Sequence, residues 1–370
     1  MRLWRPFILL IPLLMGVFAV HYSCSDNRPK DSIPVQQSGS TLTGHWGLEK
    51  LSDYGLFQGR LADLIPAEGV LPYDLNMPLF SDYALKARFV KMPEGKKAIY
   101  NDKSVFEFPE GTILIKNFLY PNDFRDETKG RKIIETRLLI HESSGWKALP
   151  YIWNEEQTEA YLEVAGGRKE ISWIHTDGKQ KTLQYSIPNV NQCKGCHVKA
   201  SRLIPIGPSA RQLNKNFAYS DGIMNQLLRW RNAGILDQLP DDLSQCPTVP
   251  DWNHPEGSSL ESRARAYLDI NCAHCHSKEG PANTSGLLLD IHETNPSSLG
   301  IYKAPVAAGR GSGNLLYDIV PGKPQESILL YRMQSTDPGV MMPELGRKMV
   351  HEEGVQLISE WIAAMKPSSF

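Results

Sequence analysis

Neither sign of charge is in excess: 40 Lys and Arg stand against 41 Asp and Glu, and no basic tract occurs. That argues against a chain built to follow a phosphate backbone, so no nucleic-acid partner is expected. Cysteine is scarce, at six in 370 residues, and a disulfide framework is not implied. Long apolar runs are missing as well. The most apolar stretch, Phe7 to Val20, has the length of a signal peptide and is too short to cross a bilayer comfortably. A phosphate-binding glycine loop is also lacking. Ala307-Ala-Gly-Arg-Gly-Ser-Gly313 has neither GxGxxG nor the Lys-Ser/Thr of a P-loop, and reads as a loop over the edge of a bound group, with Arg310 near it.

What the chain does have is one pentapeptide written twice, as Cys193-Lys-Gly-Cys196-His197 and Cys272-Ala-His-Cys275-His276. Each reads as a c-type haem attachment site. Two thiols a short step apart can each add to one haem vinyl group, and the histidine that follows is placed under the iron as its proximal ligand. The cofactors expected are therefore two covalently bound haems, with Cys193, Cys196, Cys272 and Cys275 as anchors and His197 and His276 on the metal. Paired CxxC motifs also bind zinc, but structural zinc sites usually space the pairs by about 15–20 residues, far less than separates Cys196 from Cys272. A thioredoxin-like dithiol asks for a strand and helix around the motif that the flanking sequence does not supply.

For the second haem, Gly339-Val-Met-Met-Pro-Glu-Leu-Gly346 places a methionine before proline ahead of the last helix, so Met342 is the expected distal ligand, with Met341 in reserve. A His276/Met342 pair would raise the potential, because a thioether favours ferrous iron. For the first haem the distal position stays open between Met224, His254, His175 and no protein ligand. Arg202 and Arg211 are candidates for haem propionates, though a solvated surface role suits each better. Cys246, before Pro247, is expected to be an unpaired structural thiol.

Targeting residues set the compartment. Met1, Arg2 and Arg5 precede the apolar run, and His21-Tyr-Ser-Cys24 follows it, so residues 1–23 read as a signal peptide and Cys24 as a lipidation site. His21 stands where such sites usually carry an apolar residue. Residues 24–44 are polar and form a tether. Residues 45–188 are rich in strand-length runs of β-branched and aromatic residues, with Asp177-Gly178 as a hairpin turn. They are expected to form an antiparallel domain whose Trp146, Tyr151, Trp153 and Trp173 either line a groove or pack a core. Residues 189–255 hold the first haem, with a helix over about Gly222 to Asn232. Residues 256–370 form a C-terminal cytochrome c domain with helices over Ser259–Ile270 and His351–Met365. The fold class expected is thus α+β and multidomain: a β-rich antiparallel N-terminal domain, then two mostly α-helical cytochrome c-type haem domains.

Leu51-Ser-Asp-Tyr-Gly-Leu-Phe57, Tyr73-Asp-Leu-Asn-Met-Pro-Leu-Phe-Ser-Asp82, Ile187-Pro-Asn-Val-Asn-Gln-Cys193, Arg263-Ala-Arg-Ala-Tyr-Leu-Asp269 and Pro343-Glu-Leu-Gly346 carry a resemblance. From about Trp46 to Ala364 the chain resembles a family of exported bacterial dihaem c-type cytochromes, often encoded beside parallel β-helix proteins. The resemblance implies haem binding and redox work without naming a substrate. The function expected is electron transfer between redox partner proteins in the periplasm or cell envelope, from a membrane-anchored lipoprotein. The alternatives are a peroxidase-like dihaem oxidoreductase with one open iron and, more remotely, a carbohydrate- or protein-binding module built on the β region.

Overall fold

The strands that matter most are those where β-branched and aromatic residues are concentrated, and they assemble into one antiparallel sheet. The computed structural model describes residues 46–367. The signal peptide, Cys24 and most of the tether lie outside them. The sheet runs in sequence order through β1 (Val70–Tyr73), β2 (Leu85–Lys91), β3 (Ile113–Pro121), β4 (Arg131–Glu142), β5 (Gly145–Trp153) and β6 (Ala160–Leu162). Neighbouring strands in the order are neighbours in the chain, as short connections favour. A separate hairpin, β7 (Gly167–Ile174) with β8 (Gln180–Ile187), turns at Asp177-Gly178. There the Asp177 carboxylate accepts the Lys179 N–H at 2.9 Å and Gly178 takes φ +79°, a conformation that glycine adopts without strain.

Helices follow: α1 (Val190–His197), α2 (Ala210–Leu213), α3 (Gln226–Asn232), α4 (Leu260–Cys272), α5 (Ile328–Gln334) and α6 (Glu352–Ala364). Ser259 caps α4 by accepting the Ser262 N–H, the role a serine at a helix start commonly takes. On α6, Val355, Ile358, Trp361 and Ile362 are buried on one stripe.

The expected pair of mostly α-helical cytochrome c domains does not form. Strand outweighs helix, and the longest α-helices among the described residues have 13 residues. In 189–255 the helices have 8, 4 and 7 residues, too short to stand without tertiary support. Gly222–Asn225, expected to begin a helix, instead pairs with Asn216–Tyr219 as a ribbon. The apolar residues of this segment do not make a core of their own. Leu213, Leu227, Trp230 and Leu236 join the cluster that also holds Tyr73, Phe106 and Phe108 from the β-rich part and Leu330 and Ile358 from α5 and α6. Leu236-Asp237 even pairs in parallel with Ala98-Ile99. Accordingly the described residues, 46–367, all fall in one compact unit. Of the two roles weighed for the aromatics, core packing is the one found. Tyr151, Trp153 and Trp173 are 0%, 1% and 2% exposed, and so are core, while Trp146 stacks on His141 at 4.6 Å between ring centroids.

Candidate haem-binding site

Both pentapeptides sit at the C-terminal ends of helices, which is how each thiol, thiol and imidazole set acquires its spacing. For the first, Asn189 starts α1 with a capping box: its side chain accepts the Gln192 N–H at 2.8 Å, and the Gln192 side chain accepts the Asn189 N–H at 3.0 Å. One turn on, Cys193 is buried, and Cys196 and His197 close the helix. The second set begins at the last residue of α4. Turns from Cys272 then carry the chain on, its carbonyl accepting the N–H groups of Cys275 at 3.0 Å and His276 at 2.8 Å.

The two histidines are held in the same manner. His197 Nδ1 lies 2.8 Å from the Ile204 carbonyl, and the Ile204 N–H returns to the His197 carbonyl. His276 Nδ1 lies 3.3 Å from the Leu287 carbonyl and 3.3 Å from Ser285 Oγ, while the Leu289 N–H donates to the His276 carbonyl. A carbonyl beside Nδ1 requires the proton there, which leaves the Nε2 lone pair for a metal. Burial keeps both rings neutral, pushing His197 down to about 4 and lowering His276 as well. These are the orientation and the protonation state of an iron ligand.

The thiols argue against the dithiol reading. Burial raises all four, Cys272 to about 12 and Cys275 to about 11, whereas a catalytic CxxC pair depends on a depressed thiol. None of the four is in a disulfide. For zinc, no group of three or more His, Cys, Asp or Glu side chains gathers among the described residues as it would around an ion. A haem iron asks less of the protein, one imidazole and a single further ligand.

Two cavities adjoin these motifs. One, of about 170 Å³, is bordered by Cys193, Cys196 and His197; the other, of about 690 Å³, by Cys275, His276 and Met342. The larger is in the usual range for a bound cofactor. They share walls, since Cys196, Cys272, His274, Met333 and Met342 border both. Across that partition Cys275 Sγ lies 3.8 Å from the Gly195 carbonyl oxygen.

Met342 and His276 thus border one cavity. The Met342 N–H donates to the Arg332 carbonyl at 3.1 Å, and its own carbonyl accepts from Arg347 Nη2 at 2.8 Å, so the loop that carries it is braced on both sides. Met341 is buried and borders neither cavity. The three distal candidates for the first iron are elsewhere. Met224 is on the Gly222–Asn225 strand with its sulfur 3.8 Å from Asn232 Nδ2. The His254 side chain is 80% exposed beside Asp251. His175 packs against Tyr83 and Phe124. Of the arginines weighed for propionates, Arg211 is bound to Asp269 at 2.9 Å and Arg310 to Asp337 at 2.9 Å. Ala307 and Ala308 of the glycine-rich loop do border the larger cavity. Cys246 is a buried free thiol.

The sequence reading passed over His274, Lys116 and Arg137, all of which border the smaller cavity. His274 is inside the second pentapeptide, and burial pushes its ring down to about 4 against a smaller opposing pull from the Ile270 carbonyl. Its Nδ1 makes no well-formed hydrogen bond. His351, the other imidazole there, has Nδ1 on the Tyr267 hydroxyl and Nε2 toward Glu353. The visible signals were a histidine at an inner motif position and a lysine in the apolar run from Thr112 to Leu119. Compared with family models, curated proteins and solved structures, the chain matches none.

Proposed function

We propose that this chain is an exported dihaem c-type cytochrome that passes single electrons between redox partners. The observation that carries the reading is the shared partition between two sites of identical chemistry. Each offers two protonated thiols and a neutral imidazole whose Nε2 is available, and they meet at Cys275 and Gly195. When bound, haem supplies a reversible one-electron iron centre. The residues do the rest. Cys193 and Cys196 would anchor the first group and Cys272 and Cys275 the second, while His197 and His276, locked by their carbonyl partners, would offer Nε2 to the iron. Met342 supplies a thioether at the second site, which favours the ferrous state. His274, whose Nδ1 makes no well-formed hydrogen bond, would be a second imidazole at the first cavity able to help hold the group.

The proposed setting is the periplasm or cell envelope, where c-type haem is attached, with lipidated Cys24 as an anchor. No helix among the described residues is long and apolar enough to cross a membrane. The chain is to be produced in a host that matures c-type cytochromes, denatured and weighed, and its ferric spectrum recorded. The expected result is a mass increased by two porphyrins and low-spin iron at both centres. A mass without them overturns the reading. Two porphyrins with one high-spin, cyanide-binding iron would instead favour the peroxidase-like oxidoreductase.

A further inference from the structure

The sheet carries a row of cations that its own anions do not balance. Arg88 on β2, Lys116 on β3 and Arg137 on β4 stand directly opposite one another in register. Like charges so placed destabilise a sheet unless each is compensated. Two of them are: Arg88 Nη1 meets Asp74 at 2.7 Å, and Arg137 Nη2 meets the buried Glu135 at 2.5 Å. Lys116 has no carboxylate partner among the described residues. Its ammonium lies 5.0 Å from the centroid of the Phe118 ring, which the Arg137 guanidinium overlies at 4.2 Å.

Lys116 and Arg137 both border the cavity of Cys193, Cys196 and His197. Around that cavity four cations, Lys116, Arg137, Arg347 and Lys348, face two carboxylates, Asp82 and Glu344. Asp82 is occupied by the N–H groups of Lys348 and Met349 at 2.6 and 2.7 Å. Arg347 spends its donors on backbone carbonyls. With Glu135 balancing Arg137 from behind the wall, the lining keeps a positive excess, and Lys116 is the cation in it without a carboxylate of its own. Desolvation, followed by the fields of Arg88 and Arg137, pushes the Lys116 ammonium down to about 7, as happens to a cation that lacks its counter-charge. The ligand complementary to such a wall has a largely apolar body and carboxylate at one edge.

We infer that Lys116 and Arg137 seat the carboxylate edge of the porphyrin anchored at Cys193 and Cys196, so that the β-sheet is itself one wall of the first haem site. This rests on the dihaem reading and adds to it the residues that hold the propionates. It also gives the cation row a reason to exist, since bound carboxylates would supply the balance that the sheet lacks.

The test uses the mature full-length protein. Lys116→Met, Lys116→Gln and Lys116→Arg are compared with Lys179→Met, a charge removal at a side chain 78% exposed. Porphyrins are counted by mass, and both midpoint potentials are read by spectroelectrochemistry. Lys116→Met and Lys116→Gln are expected to keep both porphyrins and lower one midpoint potential, because an unneutralised propionate favours ferric iron. Lys116→Arg should stay near the parent and Lys179→Met should move neither. In a Cys193→Ala/Cys196→Ala background the Lys116 change should leave the remaining centre untouched. Two porphyrins with both potentials indifferent to Lys116→Met and Lys116→Gln, or shifted equally by Lys179→Met, would overturn the inference. A parent protein without porphyrins would overturn the dihaem reading instead, a result that the mass alone distinguishes.

Discussion

The two pentapeptides share their chemistry and differ in almost everything that holds them. The first ends a helix of eight residues and is walled by the strands β3 and β4. The second leaves a helix of thirteen residues that packs on α6, and is walled by loops and α5. Yet both histidines reach the same state, half-buried, neutral and pinned at Nδ1 by a carbonyl from the segment just downstream. The local turn and that one returning carbonyl set the donor geometry. The scaffold beyond them is interchangeable, and a sheet serves as well as a helix.

The hardest test of this comparison is aimed at what the two regions have in common. Trp230 is fully buried and meets Tyr73 at 5.6 Å and Phe106 at 6.0 Å between ring centroids, in the core that joins sheet and helices. Trp230→Ala should cost about 3–5 kcal/mol, read by urea unfolding as one transition that loosens both sites together. Two separate transitions, with only the first site affected, would restore independent haem units. A smaller effect should be confined to the second region. A Cβ on Gly280 would stand 2.3 Å from the Cys275 carbonyl oxygen, so Gly280→Ala should cost about 1–3 kcal/mol. It should disturb the spectrum of one centre only. A disturbance of both would mean that the partition transmits strain.

The weakest effect belongs to neither site and tests the sheet itself. Asp123 is buried at the turn after β3 and is held below the usual carboxylate range, first by Arg125 at 2.9 Å and then by Lys129 at 2.9 Å. A carboxylate depressed on folding stabilises the protein above its unfolded value of about 3.9 and loses that contribution as pH falls below it. Asp123→Asn should therefore be less stable than the parent at pH 7, with the gap closing toward pH 3 in urea titrations. A gap independent of pH would show that the ion pairs contribute nothing.

Much of the site was legible because its residues are neighbours in the chain. The spacing of Cys193, Cys196 and His197 and its repeat at Cys272, the cap at Ser259 and the stripe on α6 all act within a few residues, and those are the signals that a sequence displays. Lys116 escaped notice because its meaning depends on Arg88, Arg137 and Cys193, brought together only by strand register and by the return of the chain at α1. The expectation of two mostly helical haem domains failed for a related reason. Helices of four to eight residues show no period of their own, and Leu227 and Trp230 do not announce that their packing partners are Phe106 and Ile358. Met224 was read on a helix, and its strand turns it toward Asn232 rather than a cavity.

Cys193 is only 8% exposed, on the inner face of α1 in the finished fold. An enzyme acting on this side chain would find little of it on the surface, so a bond to its sulfur would form more readily on a chain not yet closed. If the first site carries a covalent group, its attachment and the collapse of the surrounding sheet would be ordered events, and a chain folded too early would forfeit the modification.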